Sequence, residues 1–297
     1  MGVALLAFIT SLRHPDTARD YAHNERLLKD TLDSIALQTS DDYVVIVVGN
    51  VPLSFPLPDR VVSVVVDFPP PVAPGAATSY LDVVWDKGTK LGGIGLIAAR
   101  DFTPDYVMII DADDFVHRDL VAFTSAHAGA PGWYISRGWR YSRARNVYRS
   151  LRAFHLQCGS SYILPFAAYG VPADASVAFS QAQVLDVFGD RLATIIGSHM
   201  RVVQWARRHG YPPCPHCGSG GARCTTWTPV RTTPAARWAG GPERCRRRCN
   251  RPTAYPRGLP PGPPRCPRRT GSGWSSKPHR RSPRVPTSIC SARCSRW

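Results

Sequence analysis

Three carboxylates follow one apolar run in Tyr106-Val-Met-Ile-Ile-Asp111-Ala-Asp-Asp114. Val107 to Ile110 read as a strand buried on both faces, as in a parallel sheet. Ligands of open α/β sheets bind beyond the carboxyl ends of the strands. Such a strand would deliver Asp111, Asp113 and Asp114 to the edge of a site. Clustered carboxylates raise one another's pKa unless a cation neutralises them, and hard divalent ions take oxygen ligands of this kind. One reading is therefore a metal site for a phosphate-bearing substrate. The other is a helix start with acids in its first turn.

The elements that would position these acids come earlier. Val3 to Thr10 reads as a first strand, followed by the loop Ser11-Leu-Arg-His-Pro15. Asn24 to Gln38 has helical spacing, with Leu27, Leu28, Leu32, Ile35 and Ala36 apolar. Tyr43 to Val48 is a β-branched run that predicts a buried strand, ending at Gly49-Asn50. Val61 to Val66 predicts a third strand, ending at Asp67 and a Pro-rich loop. Gly88 to Arg100 fits a helix leading into the acidic strand. Strands alternating with helices predict a parallel sheet of βαβ units. Further on, Trp133–Tyr141 and Phe154–Leu164 read as strands, and Ala178–Phe188 and His199–His209 as helices.

The charge divides the chain. It has 297 residues, with 37 Lys/Arg against 21 Asp/Glu, a net charge of +16 and a pI near 9.9. Residues 212–297 hold 18 of the basic residues and one acid, Glu243, so residues 1–211 are close to neutral. The same C-terminal segment holds eight of the nine Cys and 16 of the 28 Pro. Its aliphatic residues are Val230, Leu259, Val285 and Ile289, too few to offset chain entropy. The expectation is one domain over 1–211 and a disordered basic tail over 212–297. The apolar start lacks a basic n-region and a cleavage site, so it predicts a core strand and not a signal peptide. No run of 18 apolar residues predicts a membrane span. A cytoplasmic location follows as the default, free or peripheral at a membrane.

Taken in order, these segments resemble a known family. Asn24 to Thr39, whose helix ends in Gln38-Thr39, followed by Tyr43 to Asn50, is similar to the opening of family 2-type glycosyltransferases of the GT-A fold. Asp86-Lys-Gly88, a helix, then Asp111-Ala-Asp-Asp114 resembles that family's route to its DxD motif. The resemblance covers roughly residues 3–200. It implies a GT-A (Rossmann-like) α/β domain, a mostly parallel sheet flanked by helices. It also implies sugar transfer from a nucleotide-sugar donor to a sugar, lipid or protein acceptor.

In that family's terms, Asp111 and Asp113 would hold a divalent metal, Mn or Mg, and Asp111 the donor's ribose-diphosphate. The metal would serve as Lewis acid on the leaving diphosphate. The family often has Asp at the end of the second strand, where this chain has Gly49-Asn50. Asn50 either contacts the base or is a turn residue. Asp67 shares the base or merely terminates its strand. Lys87 and Lys90 either meet phosphate or are solvated charges at a helix start. Among Asp174, Asp186 and Asp190, Asp190 lies nearest a glycine-bounded turn and is the candidate general base. Gly159-Ser-Ser161 either lines an acceptor pocket or is an ordinary small-residue strand, and His199 is either a site residue or a surface histidine.

Two other classes compete. Cys214-Pro-His-Cys217 has zinc-knuckle spacing, and Cys245 and Cys249 near Arg246-Arg-Arg248 would suit a zinc- or nucleic-acid-binding tail. A nucleotidyltransferase shares the acidic metal chemistry, but the loop after its first strand is normally glycine-rich, and Ser11 to Pro15 has no glycine. The tail also has the composition of a GC-rich gene read out of frame. Read from one base upstream, Cys224 to Thr233 can back-translate to Val-His-His-Val-Asp-Thr-Gly-Glu-Asn-His, an ordinary strand-and-loop sequence. On that reading the frame is lost near Tyr211–Cys214 and activity is impaired.

Overall fold

The computed structural model describes residues 4–73, 76–215 and 230–232, with the backbone alone for Pro215 and 230–232. All of them lie within the unit formed by residues 1–248. The architecture is α/β, with a mostly parallel sheet between two layers of helices. Four parallel strands form one side of it: β1 (Leu6–Ser11), β2 (Tyr43–Gly49), β3 (Val61–Val65) and β4 (Tyr106–Ile109). The strand order β3-β2-β1-β4 continues through β9 (Tyr162–Pro165), β6 (Trp133–Tyr134) and β10 (Cys214–Pro215). Within this run β9 is antiparallel to both of its neighbours, a reversal not expected from the sequence.

Side chains alternate across the pleat and both faces are covered, so β1, β2 and β4 are buried almost throughout. Val44, Ile46 and Val48 face one core, and Tyr43, Val45 and Val47 the other. The first core is closed by α3 (Leu96–Arg100), α5 (Gln181–Phe188) and α6 (Val202–Arg208); the second by α1 (Tyr21–Ile35) and α4 (Leu120–Ala126). Burial of each such aliphatic side chain is worth about 1.5–3 kcal/mol. At the sheet edge β3 is only partly buried.

The helical run before β4 is longer than its apolar spacing predicts. It begins at α2 (Tyr80–Gly88), where Ser79 and Asp82 form a reciprocal capping box. It passes through a π-helical stretch (Thr89–Gly95) into α3. Glycines let this stretch pack closely. A Cβ at Gly93 would meet Val184 at 2.3 Å, and one at Gly95 would meet Ile9 at 2.4 Å.

A second sheet holds β5 (Asp114–Phe115), β11 (Val230–Thr232), β7 (Arg137–Ser142) and β8 (Val147–Arg152) in that order. The predicted strand 133–141 is therefore two strands in two sheets, separated at Ile135-Ser136. The predicted strand 154–164 is a 3-10 turn (Phe154–Leu156), preceded by Ala153 in a left-handed conformation and followed by β9. Of the expected disordered tail, Cys214–Pro215 and Val230–Thr232 pair as strands. The rest of that expectation, with Cys217, Cys245 and Cys249 of the zinc reading, lies outside the described residues. No helix among the described residues is long and apolar enough to cross a membrane.

Candidate functional site

The parallel strands deliver their carboxyl ends to one edge. There β1 ends at Ser11, and the Leu12 N–H still donates to the Val48 carbonyl at 3.0 Å. Beyond β4, the Ile110 N–H donates to Ile9 at 2.9 Å, and the chain then turns. The Asp114 N–H donates back to the Asp111 carbonyl at 3.1 Å, closing the Asp111-Ala-Asp-Asp114 turn. This turn gives the three acids different surroundings.

Asp111 is partly exposed, with 28% of its side chain accessible, and its Oδ1 accepts from the Lys87 ammonium on α2. Asp113 is half-buried at the turn. Asp114 is fully buried and turned inward. Its Oδ2 accepts from the Ser160 hydroxyl at 2.7 Å and the Cys158 thiol at 3.0 Å. Burial, then the charges of Asp113 and Asp111, push the Asp114 carboxyl well above the usual carboxylate range, against those two hydrogen bonds. The Ser160 hydroxyl also accepts from the Asp111 N–H at 2.8 Å. Ser160 thus ties the outward acid to the inward one. The sequence placed Ser160 only in a small-residue segment; no local signal marks its bridging role.

Lys87 is the cation paired with Asp111. Burial pulls its pKa down, but the Asp111 charge and hydrogen bond, with Asp114 and Cys158 behind them, raise it above the ordinary value. Lys90, one helical turn later, is fully buried. Its ammonium lies 2.8 Å from Asp86 Oδ1 and donates to the Leu12 carbonyl at 3.1 Å. Lys90 therefore anchors the end of β1 instead of meeting a ligand.

Two clefts meet at Lys87. One is lined by Ser11, Arg13, Thr17, Asp86, Lys87 and Asp111. The other is lined by Lys87, Gly159, Tyr162, Gly197, Ser198 and His199. Gly159 leaves a gap between them. A Cβ there would stand 3.5 Å from Asp111 Oδ2, 3.7 Å from Lys87 Nζ and 3.7 Å from His199 Nδ1. His199, read as either a site or a surface residue, is thus brought to the acidic edge by the segment before α6.

The remaining candidates are placed elsewhere. The Asn50 amide donates to the Phe68 carbonyl at 2.8 Å and the Val66 carbonyl at 3.3 Å, tying β2 to the exit of β3. Its Oδ1 is buried without a hydrogen-bond partner among the described residues. Asp67 is exposed between buried Val66 and Phe68. Neither lines either cleft. Asp190 is exposed just past α5, where its carbonyl accepts from Thr194 at 2.7 Å, and it also lines neither cleft. The structure does not bring it to Asp111. Asp174 and Asp186 are exposed as well.

The donor set suits a hard divalent cation in kind. Asp111 has Oδ2 beside the Gly159 gap, and Asp113 adds a second carboxylate on the same turn. It does not form a closed cage: among the described residues no three His, Cys, Asp or Glu side chains gather as metal ligands. Mg²⁺ commonly takes one or two protein carboxylates and completes its shell with phosphate and water. The two carboxylates on one turn match such an ion in ligand type.

The fold and site define an α/β protein with an acid–lysine pair at the carboxyl edge of its parallel strands. No protein-family model and no curated protein sequence matches the chain. Among solved structures, it is similar to S. aureus TarS residues 1–349 with UDP (TM-score 0.34, 12% identity, 56% of this chain and 48% of that one). The same fragment with UDP-GlcNAc gives a TM-score of 0.30 at 12% identity, covering 62% of this chain and 53% of that one. The chain spans about half the length of these structures.

Proposed function

We propose that the chain is a glycosyltransferase that moves a sugar from a nucleotide-sugar donor to an acceptor hydroxyl. The observation that carries this reading is the Lys87–Asp111 pair at the carboxyl edge of β1 and β4, where α/β sheets bind nucleotides. Asp111 and Asp113 would hold a divalent cation, Mn or Mg, which when bound supplies the Lewis acid for the leaving diphosphate. Lys87, kept protonated by Asp111, adds a positive charge beside the donor phosphates. Asn50 and Asp67 line neither cleft, so this reading gives neither of them a part in holding the base. The acceptor hydroxyl would approach from the Gly159–His199 side of Asp111. His199 has the better position for receiving the acceptor proton, since Asp190 lines neither cleft.

Titration with a nucleotide-sugar panel headed by UDP and UDP-GlcNAc, with and without Mn²⁺, tests the donor site. Wild type is expected to bind at least one donor in a metal-dependent way. Asp113→Ala is expected to lose about tenfold or more in affinity, the loss of one charged contact. Equal binding with and without metal, unchanged in Asp113→Ala, would remove the assignment.

A further inference from the structure

Between Asp119 and Asp174 the chain carries no acidic residue. Within that span six arginines fall between positions 137 and 152: Arg137, Arg140, Arg143, Arg145, Arg149 and Arg152. The fold concentrates them on one hairpin. In the antiparallel pair β7–β8, Arg137 lies opposite Arg152 and Arg140 opposite Arg149. Like charges directly opposite one another destabilise a sheet, so folding alone gives no reason for the exposed Arg137–Arg152 pair. Arg143, near the turn, is paired with Asp30 of α1. Arg137, Arg145 and Arg152 are exposed and form no ion pair among the described residues.

Side chains alternate along a strand, which sorts these residues by face. Gly138 and Leu151 share the inward face. Leu151 is buried, and a Cβ on Gly138 would come within 2.1 Å of the Phe154 ring. Arg137 and Arg152 stand on the opposite face with Trp139 and Tyr148, whose rings meet edge to face at 6.5 Å. Two guanidinium forks on neighbouring strands match the oxygens of a phosphate, which arginine binds in a bidentate manner.

We propose that Arg137 and Arg152 form a phosphate clamp, extended toward the hairpin turn by Arg145, for a linear phosphate-bearing chain. From Arg137 to Ser142 the strand runs about 17 Å at roughly 3.3 Å per residue, a length that several linked phosphates cover. A membrane surface is a poorer match. Its ligands usually bury an apolar face among the lipids, whereas Trp139 and Tyr148 are half-buried in the hairpin itself. The clamp lies on β7–β8, outside both clefts, and holds whether or not the chain transfers a sugar.

Tripolyphosphate is the probe, titrated calorimetrically into the full chain at about 50 and about 200 mM salt. Three proteins are compared: wild type, Arg137→Gln/Arg152→Gln, and a charge-matched control, Arg246→Gln/Arg248→Gln, in the basic C-terminal segment. The control is expected within about twofold of wild type. The hairpin variant is expected to bind about tenfold more weakly, with a shallower salt dependence. Equal losses in the two double variants, or unaltered binding in the hairpin variant, overturn the clamp. Binding to phosphatidylglycerol vesicles without binding to tripolyphosphate overturns it too. Arg152→Gln alone relieves a like-charge pair, so its Tm is expected at or above that of wild type. A lowered Tm would mark the pair as structural and would also overturn the proposal.

Discussion

Asp111 and Asp114 are three residues apart and have opposite environments, and Ser160 joins them. Its hydroxyl accepts from the Asp111 N–H and donates to the Asp114 carboxyl. Ser160→Ala is expected to cost about 1–3 kcal/mol in denaturant unfolding, because a buried carboxyl and a backbone N–H both lose a partner. An unchanged midpoint would show that water replaces the hydroxyl. His117 gives a pH-dependent case. Its Nδ1 accepts from the Asp119 N–H at 3.2 Å, and burial lowers its pKa against the opposing pull of Asp119. A histidine whose folded pKa is depressed contributes stability above its unfolded pKa of about 6.5, and loses it as pH falls through the folded value. Wild type is therefore expected to lose Tm below about pH 6.5 more steeply than His117→Gln. Parallel Tm profiles would exclude His117 as the source. At this scale the sequence showed which residue types were available. It did not show that Lys87 reaches Asp111 while Lys90 is buried on Asp86, since one helical turn separates the two roles.

Among the elements, the long apolar strands were legible, because β1, β2 and β4 are buried on both faces and need no partner to be identified. The start of α2 was missed although Ser79 and Asp82 carry its cap, because the proline-rich segment before it hid the helix signal. The π-helical stretch was also missed, since its glycines lower helix propensity and matter only against their neighbours. Gly93→Ala tests that packing. Its methyl would stand 2.3 Å from Val184, so a loss of about 1–3 kcal/mol is expected from overpacking. Unfolding at the wild-type midpoint would show that α5 can move aside. The split of 133–141 into β6 and β7 was not readable, because both halves keep strand periodicity and only the switch of sheet separates them.

For the molecule as a whole, the compositional boundary near residue 212 does not coincide with the end of the described structure. β10 adds an edge strand beside β6, and β11 lies between β5 and β7. A chain ending at Thr233 keeps both strands. A chain ending at Tyr211 leaves the backbone of β5 and β7 unpaired along β11 and is expected to melt at a lower temperature. Equal melting of these two chains would show that β10 and β11 add nothing to stability, and sequencing the gene across Tyr211–Cys214 tests the out-of-frame origin.

By itself the sequence determined the α/β class, the order of the first four strands along the chain and the acidic turn at Asp111. These rest on local causes: apolar runs long enough to be buried on both faces, and acids at a strand end. Only the tertiary structure decided that Asp114 turns inward, that Lys87 pairs with Asp111, that His199 comes to the same edge and that Asp190 does not. Those placements depend on contacts between residues far apart in the chain, such as Asp114 with Ser160 and Lys87 with Asp111, which no local pattern encodes.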